Sequence, residues 1–384
     1  MPRVLIVRGQ LVTPWELRPW AELPERFDVS YLLTRSNEFD AGSLPLRAQH
    51  VTSLRDRLPR GRLGGLAATL AGDRYLDDVE PAYAAADVVH AEELSFWFAA
   101  DAARRKADHD FKLVQTVWET LPLLSAYRNR HARRHRDEVL AATDLFLPAT
   151  HRAREALLLE GVDERRLLVC PPGIDVERFR AATAPPPADH VILSPGRLVW
   201  EKGHQDVLRA AAVLARGGLH PRVRIVGRGA EEARLRSYAE ELGLADHVQI
   251  GPVGYDEMPS VFASASCVVL ASLPSAGAGL HPLDVPRAFW EEQFGMVLAE
   301  AMAAGLDILA SSSGAIPEVL QGEGTLFIPG DWPTLARRLA DGPLRRPPGE
   351  RVRYPEQLVR SYSTAAMAER LAAAYDRVLG EGYS

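Results

Sequence analysis

Two carboxylates, Glu292 and Glu300, stand seven residues apart in the stretch "WEEQFGMVLAEAMAAG" (290–305). Glu300 lies between Ala299 and Ala301 in small, apolar company, where an unpaired carboxylate is costly to bury. It needs either a partner within the protein or a ligand that supplies one. Glu291 and Gln293 read as a solvated loop. "GMVLAEAMAA" is built of good helix formers, with Gly295 at its start and Gly305 where a helix ends. The free N–H groups and positive dipole end of such a helix favour an anion, and Gly295 lets a ligand approach closely. Side chains on a helix lean toward its N-terminus, so Glu300 can face whatever binds there. A carboxylate only accepts hydrogen bonds, and a sugar diol offers two donors. The chemistry implied is recognition of an anionic centre flanked by hydroxyls.

A second constellation, "SPGRLVWEKG" (194–203), places Arg197 and Lys202 on a Gly196-containing turn after a strand. In open α/β sheets ligands sit beyond the carboxyl ends of the strands, so these cations are expected to meet the anion at Gly295. Arginine can grip two phosphate oxygens, while lysine acts as a point charge. The plainer alternative is a solvated surface pair.

The elements that must position these groups alternate regularly. "VLIV", "FDVSYLL", "HVTSL", "DVVHA", "KLVQTVW", "DLFLPA" and "LLVCPPG" read as strands in the first half. "VILSPGRL", "RVRIVGRG", "HVQIGPV", "CVVLAS", "DILASSS" and "TLFIPG" follow in the second, with helical patterns between them. Near-continuous apolar strands separated by helices predict parallel sheets covered on both faces. The expected fold is α/β, with two doubly wound Rossmann-like domains facing across a cleft. The domains are expected at 1–181 and 191–361, joined by the proline-rich stretch 182–190. The last helix, within 362–384, could pack on either domain.

The whole chain of 384 residues carries a net charge of −6, which gives no argument for nucleic-acid binding. Cys170 and Cys267 lie in apolar runs without metal or redox spacing and read as reduced core residues. No run approaches the ~20 apolar residues of a membrane span, and a cytoplasmic protein is expected.

"GRLVWEKG", "EEQFGMVLAEAMAAG" and "PPGIDVERF" together resemble retaining glycosyltransferases of the GT-B fold, specifically family 4. The resemblance covers nearly all of residues 140–335, with Pro172 where asparagine is common, and is weaker before that. It implies that Glu300 holds the ribose hydroxyls of a nucleotide sugar and that Arg197 and Lys202 neutralise its diphosphate. Glu292, with Phe294, Gly295 and Met296, would contact the transferred sugar, and Gly251 to Val253 would border the base. Cations placed where the leaving group gains charge can replace a metal ion, so no metal and no cofactor are expected.

Many relatives carry a histidine where this chain has Trp118, in "QTVWETLP". Tryptophan accepts no proton. Glu119 or His90 could substitute, while Trp118 either stacks on the acceptor or packs. The His90–Glu92 pair reads as structural rather than metal-binding. Gly9 permits close approach after the first strand, and Trp15 and Trp20 line an acceptor cleft or the core. The basic stretch 127–138, with 55–65 beside it in character, is a solvated face, a contact with an anionic membrane surface, or a site for a phosphorylated acceptor. The loop 272–290 reads as a lid over the donor sugar. Two other classes stay open: a nucleotide-sugar epimerase of similar fold, and a binding subunit without catalysis. A NAD-dependent dehydrogenase is disfavoured, because "GRGAEE" (227–232) lacks a third glycine.

Overall fold

Runs of β-branched and aliphatic residues form twelve strands among the described residues, and every pairing between them is parallel. The computed structural model describes residues 1–9, 12–35, 37, 44–58, 64, 72–124, 130–185, 187–274 and 290–380. The first sheet contains β1 (Arg3–Val7), β2 (Asp28–Thr34), β3 (Arg47–Val51), β4 (Val88–Glu92), β5 (Lys112–Val117) and β6 (Leu145–Pro148). Its order is β3-β2-β1-β4-β5-β6. The second contains β7 (Val191–Pro195), β8 (Arg222–Val226), β9 (Val248–Gly251), β10 (Cys267–Leu270), β11 (Asp307–Ser311) and β12 (Thr325–Phe327). Its order, β12-β11-β10-β7-β8-β9, repeats the same winding. Strand order therefore reverses between β1 and β4, and again between β7 and β10. Such switch points are where open α/β sheets bind ligands.

The expected strand "LLVCPPG" does not form. Leu168 N and Cys170 N bond to the carbonyls of Phe146 and Pro148, but only an isolated bridge from Leu167 to Phe146 results. Pro171 and Pro172, which have no N–H to donate, end the pairing.

Alternation along the strands builds two cores in the first unit. Leu5, Val7, Leu32, Val89 and Leu113 pack on one face, against the helix Trp97–Arg105. Val4, Ile6, Tyr31, Val88 and Val114 pack on the other. Leu17 and Trp20 of the helix Pro14–Ala21 cover that second face, with Leu371 and Tyr375 of the helix Thr364–Leu379. The second unit's main core joins Val207 and Leu208 of the helix His204–Arg216 to Ile192, Ile225 and Val269, with Leu335 from the helix Trp332–Asp341.

The chain divides into Met1–Gly173 with Thr364–Ser384, and Ile174–Ser363. The division thus precedes the proline-rich stretch 182–190, which lies within the second unit. The reason is the short helix Val176–Ala181, whose Phe179 is buried edge-on to Phe262 at 5.2 Å. The final helix packs with the first unit. Cys170 and Cys267 are both buried, which pushes each thiol up to about 12.

Candidate active site

At the β7–β10 switch point, the loop after β7 carries Gly196, Arg197 and Lys202. His204, at the start of the helix His204–Arg216, locks this loop. Ser194 Oγ lies 2.8 Å from His204 Nδ1, and His204 Nε2 lies 3.1 Å from the Arg197 carbonyl oxygen. Burial holds the imidazole down at about 4, so it is neutral and can accept from the hydroxyl while donating to the carbonyl. Gly203 adopts φ +67°, and a Cβ there would overlap the Ala271 carbonyl oxygen that follows β10. Only glycine lets the two loops meet so closely. Gly203 closes the "GRLVWEKG" motif, but His204, the next residue, is not singled out by the sequence pattern.

Glu292 is almost fully buried, and its Oε2 accepts from Lys202 Nζ and from Ser272 Oγ, each at 2.6 Å. The same ammonium lies 5.0 Å from the centre of the Trp290 ring. Ser311 Oγ donates to the Ser272 carbonyl at 2.6 Å, so two serines brace the carboxylate from the sheet side. The loop after β11 grips the Glu292 backbone. Ala315 N donates to its carbonyl at 2.8 Å, and a side chain on Gly314 would overlap that oxygen. Lys202 and Glu292 were expected to serve different parts of a ligand, and they are ion-paired to each other. Glu292 Oε1 has no hydrogen-bond partner among the described residues.

Gly295, at φ +80°, caps the helix Met296–Ala303, and no side chain caps that terminus. Phe294 is buried edge-on to Tyr362 at 5.4 Å, so its ring anchors the loop from behind. Met296 begins the helix. Glu300 is 6% exposed, and its carboxylate makes no hydrogen bond with a described residue. Burial pushes it up to about 7, opposed by the nearby charge of Arg178. The cost expected of this residue is therefore present. Glu291, by contrast, is not solvated as expected: it is 6% exposed. Gly251 ends β9, where its carbonyl accepts from Gly227 N at 3.1 Å, and Val253 follows half-buried. The span 275–289, most of the expected lid, lies outside the described residues.

In the first unit, the β1–β4 switch point holds a different set of groups. Arg8 Nε lies 3.2 Å from Glu92 Oε2, and Trp118 Nε1 donates to Glu92 Oε1 at 2.7 Å. Trp118 N donates to Glu93 Oε1 at 2.8 Å. Burial, with Glu92 alongside, pushes Glu93 up to about 8. Glu119 Oε1 accepts from Thr120 N and Leu121 N at 2.9 Å each, which ties this oxygen to its own turn. A side chain at Gly9 would press on the Phe98 ring, and Trp15 is half-buried on the helix Pro14–Ala21.

The expectation that His90 could serve an acceptor is corrected. It is fully buried, with Nδ1 2.7 Å from Tyr375 Oη and Nε2 2.8 Å from Thr116 Oγ1, so neither nitrogen is free for a substrate. Trp20 is likewise a core residue, donating to Tyr375 Oη at 2.7 Å. In the basic stretch, residues 130–138 open the helix Arg130–Ala142, while 127–129 lie outside the described residues. Arg134 pairs with Glu138, and Arg136 with Asp137 and Glu160.

Two family models tile the chain, "Glycosyltransferase Family 4" over residues 21–178 and "Glycosyl transferases group 1" over residues 175–342. The chain belongs to the GT-B glycosyltransferases of family 4 type. Within this family, it is 30% identical to a D-inositol 3-phosphate glycosyltransferase of Catenulispora acidiphila, over 54% of this chain and 51% of that one. It spans about half the length of the first curated relatives it matches. The family's GT-B fold is seen in a sucrose-phosphate synthase from Thermosynechococcus elongatus, with TM-score 0.72 and 17% identity over 99% of this chain and 100% of that one. HepE of Anabaena, solved in complex with UDP-glucose, aligns with TM-score 0.66 and 16% identity over 99% and 100%. At these identities the two structures speak for the fold alone.

Proposed function

We propose that this chain is a glycosyltransferase that moves a sugar from a nucleotide-sugar donor to an acceptor, with retention and without a metal. The observation that carries the reading is Glu300, a buried carboxylate without a hydrogen bond to a described residue, on a helix whose N-terminus no side chain caps. In this reading Glu300 accepts from the ribose hydroxyls, and Arg197 and Lys202 face the diphosphate. The free Oε1 of Glu292 accepts from the transferred sugar beside Phe294, Gly295 and Met296, and Gly196 and Gly251 to Val253 border the nucleotide. As the sugar–phosphate bond breaks, its electron pair goes to the diphosphate oxygen. The acceptor oxygen takes its place at the sugar carbon and passes its proton to the departing diphosphate oxygen. Fixed cations stabilise charge that develops only on the leaving group. Gly9, Trp15 and Trp118 belong to the acceptor side, and the Arg130–Ala142 helix offers a peripheral contact with an anionic surface.

Glu300→Gln tests the reading directly. The amide presents donors to hydroxyls that need an acceptor, so nucleotide affinity is expected to fall by roughly 1.5–3 kcal/mol. Affinity in the wild type is expected to rise between pH 6 and 8 as Glu300 ionises near pH 7, and the variant should flatten that rise. Without ligand the sign reverses. Because the folded carboxyl binds its proton more tightly than the unfolded one, stability falls as pH rises from 4.5 to about 7. The unliganded variant should therefore be the more stable at pH 8. Unchanged nucleotide affinity in a folded Glu300→Gln protein would remove this residue from the site.

Turnover is expected to survive EDTA, since Arg197 and Lys202 supply the positive charge. Loss on chelation, with recovery on adding Mg²⁺ or Mn²⁺, would overturn the metal-independent mechanism.

A further inference from the structure

We propose that Arg228 is a third cation of the diphosphate site, paired in position with Arg197; this rests on the nucleotide-sugar reading above. The β7–β8 register sets Pro195 opposite Val226 and continues past both strand ends. Gly196 N donates to the Val226 carbonyl and Leu198 N to the Arg228 carbonyl, each at 2.9 Å. Extending that register brings residue 228 opposite residue 197, and residues opposite each other in a ladder share one face. The two backbones are pressed together. A Cβ on Gly227 would overlap the Gly196 carbonyl oxygen, and one on Gly229 would overlap that of Leu198.

Two like charges opposite one another are destabilising unless something neutralises them. Both arginines are exposed, and neither guanidinium makes an ion pair or hydrogen bond with a described residue. Their neighbours are committed elsewhere. Glu231, whose N–H bonds to the Leu198 carbonyl, directs its carboxylate to Arg234 at 3.1 Å. Arg236 pairs with Glu232 at 2.9 Å, and Arg222 with Asp189 at 3.0 Å. The uncompensated pair thus sits at the carboxyl edge of the sheet, with Arg197 on the loop that also carries Lys202 and Arg228 on the loop after β8. An anion with two adjacent charged groups fits it better than one with a single group. That is a nucleoside diphosphate rather than a monophosphate.

Calorimetric titration with UDP, GDP, ADP and dTDP identifies the tightest ligand, which is then compared with its monophosphate and with inorganic pyrophosphate. Arg228→Ala is expected to weaken the diphosphate and pyrophosphate at least tenfold and the monophosphate by under threefold, with a shallower salt dependence for the diphosphate. Arg228→Lys should recover part of the loss. The residue is exposed, and an unchanged melting temperature for both variants checks that the fold is intact. Diphosphate affinity within twofold of wild type in Arg228→Ala, alongside a large loss in Arg197→Ala, would overturn the role of Arg228 and leave the donor reading standing. Failure of the wild type to bind any of the four nucleotides would overturn both.

Discussion

Lys202→Ala is expected to lower kcat roughly 10²- to 10³-fold, and by more than it raises donor KM, because the leaving diphosphate gains charge only as the bond breaks. The ion pair adds a second consequence. Lys202 Nζ lies 2.6 Å from Glu292 Oε2, and the two side chains are 13% and 6% exposed. Removing one partner leaves a buried carboxylate with only Ser272 to hold it, at a cost of about 3–5 kcal/mol. Adding Glu292→Gln should restore much of that stability without restoring turnover. Arg197→Ala provides the contrast. Its side chain is exposed and unpaired among the described residues, so kcat should fall with little change in melting temperature. Steady-state kinetics and thermal melts on the three proteins separate the two effects. Turnover within a few-fold of wild type in Lys202→Ala would remove this lysine from the leaving-group site.

Tyr375→Phe is expected to be the costliest single-atom deletion in the first unit. The hydroxyl accepts from Trp20 Nε1 and lies within hydrogen-bonding distance of His90 Nδ1, at 2.7 Å in each case. An indole N–H only donates, so the tyrosine proton can go to Nδ1 and leave the Nε2 proton for Thr116 Oγ1. Burial depresses His90 strongly, so charging the ring offers no escape. Deleting one oxygen strands two buried polar groups, each at about 1–3 kcal/mol. Hydrogen exchange should show faster opening of β4 and of the final helix, with the second unit unaffected. Protection equal to wild type across β4 would show that packing, rather than this network, holds the helix.

Burial on both faces made the central strands legible, because β1, β10 and β11 read as near-continuous apolar runs, whereas the edge strand β3 is polar and mostly exposed. The same property hid the position of His90. Nothing in "DVVHAEE" tells that its partners would be Thr116 on the next strand and a tyrosine on the last helix. The carboxylate pair and the two cations were legible because their residue types are expensive to bury or conspicuous on a turn. Their direct bond to one another was not, since it depends on how the loops after β7 and β10 meet. The close backbone approaches at Gly203, Gly227, Gly229 and Gly314 were not legible for the same reason. A glycine shows its need only when a carbonyl from elsewhere in the chain occupies the space of its missing Cβ. Trp118 was noticed as a substitution, but the Arg8–Glu92 pair that fixes its indole joins two strand ends far apart in sequence.

The first unit is made of two pieces of chain, and the second of one uninterrupted piece inserted between them. On a ribosome that order matters. Residues 1–173 emerge before the second unit, yet one face of their sheet lacks part of its cover until Leu371 and Tyr375 have been made. The second unit, though synthesised later, has every segment it needs before the final helix leaves the tunnel. The second unit is therefore expected to complete its fold before the first, against the usual order from the N-terminus. Until the helix Thr364–Leu379 has been made, the nascent first unit lacks that cover over Ile6, Tyr31 and Val114, a surface that a chaperone would hold and that a stop codon before this helix would leave bare.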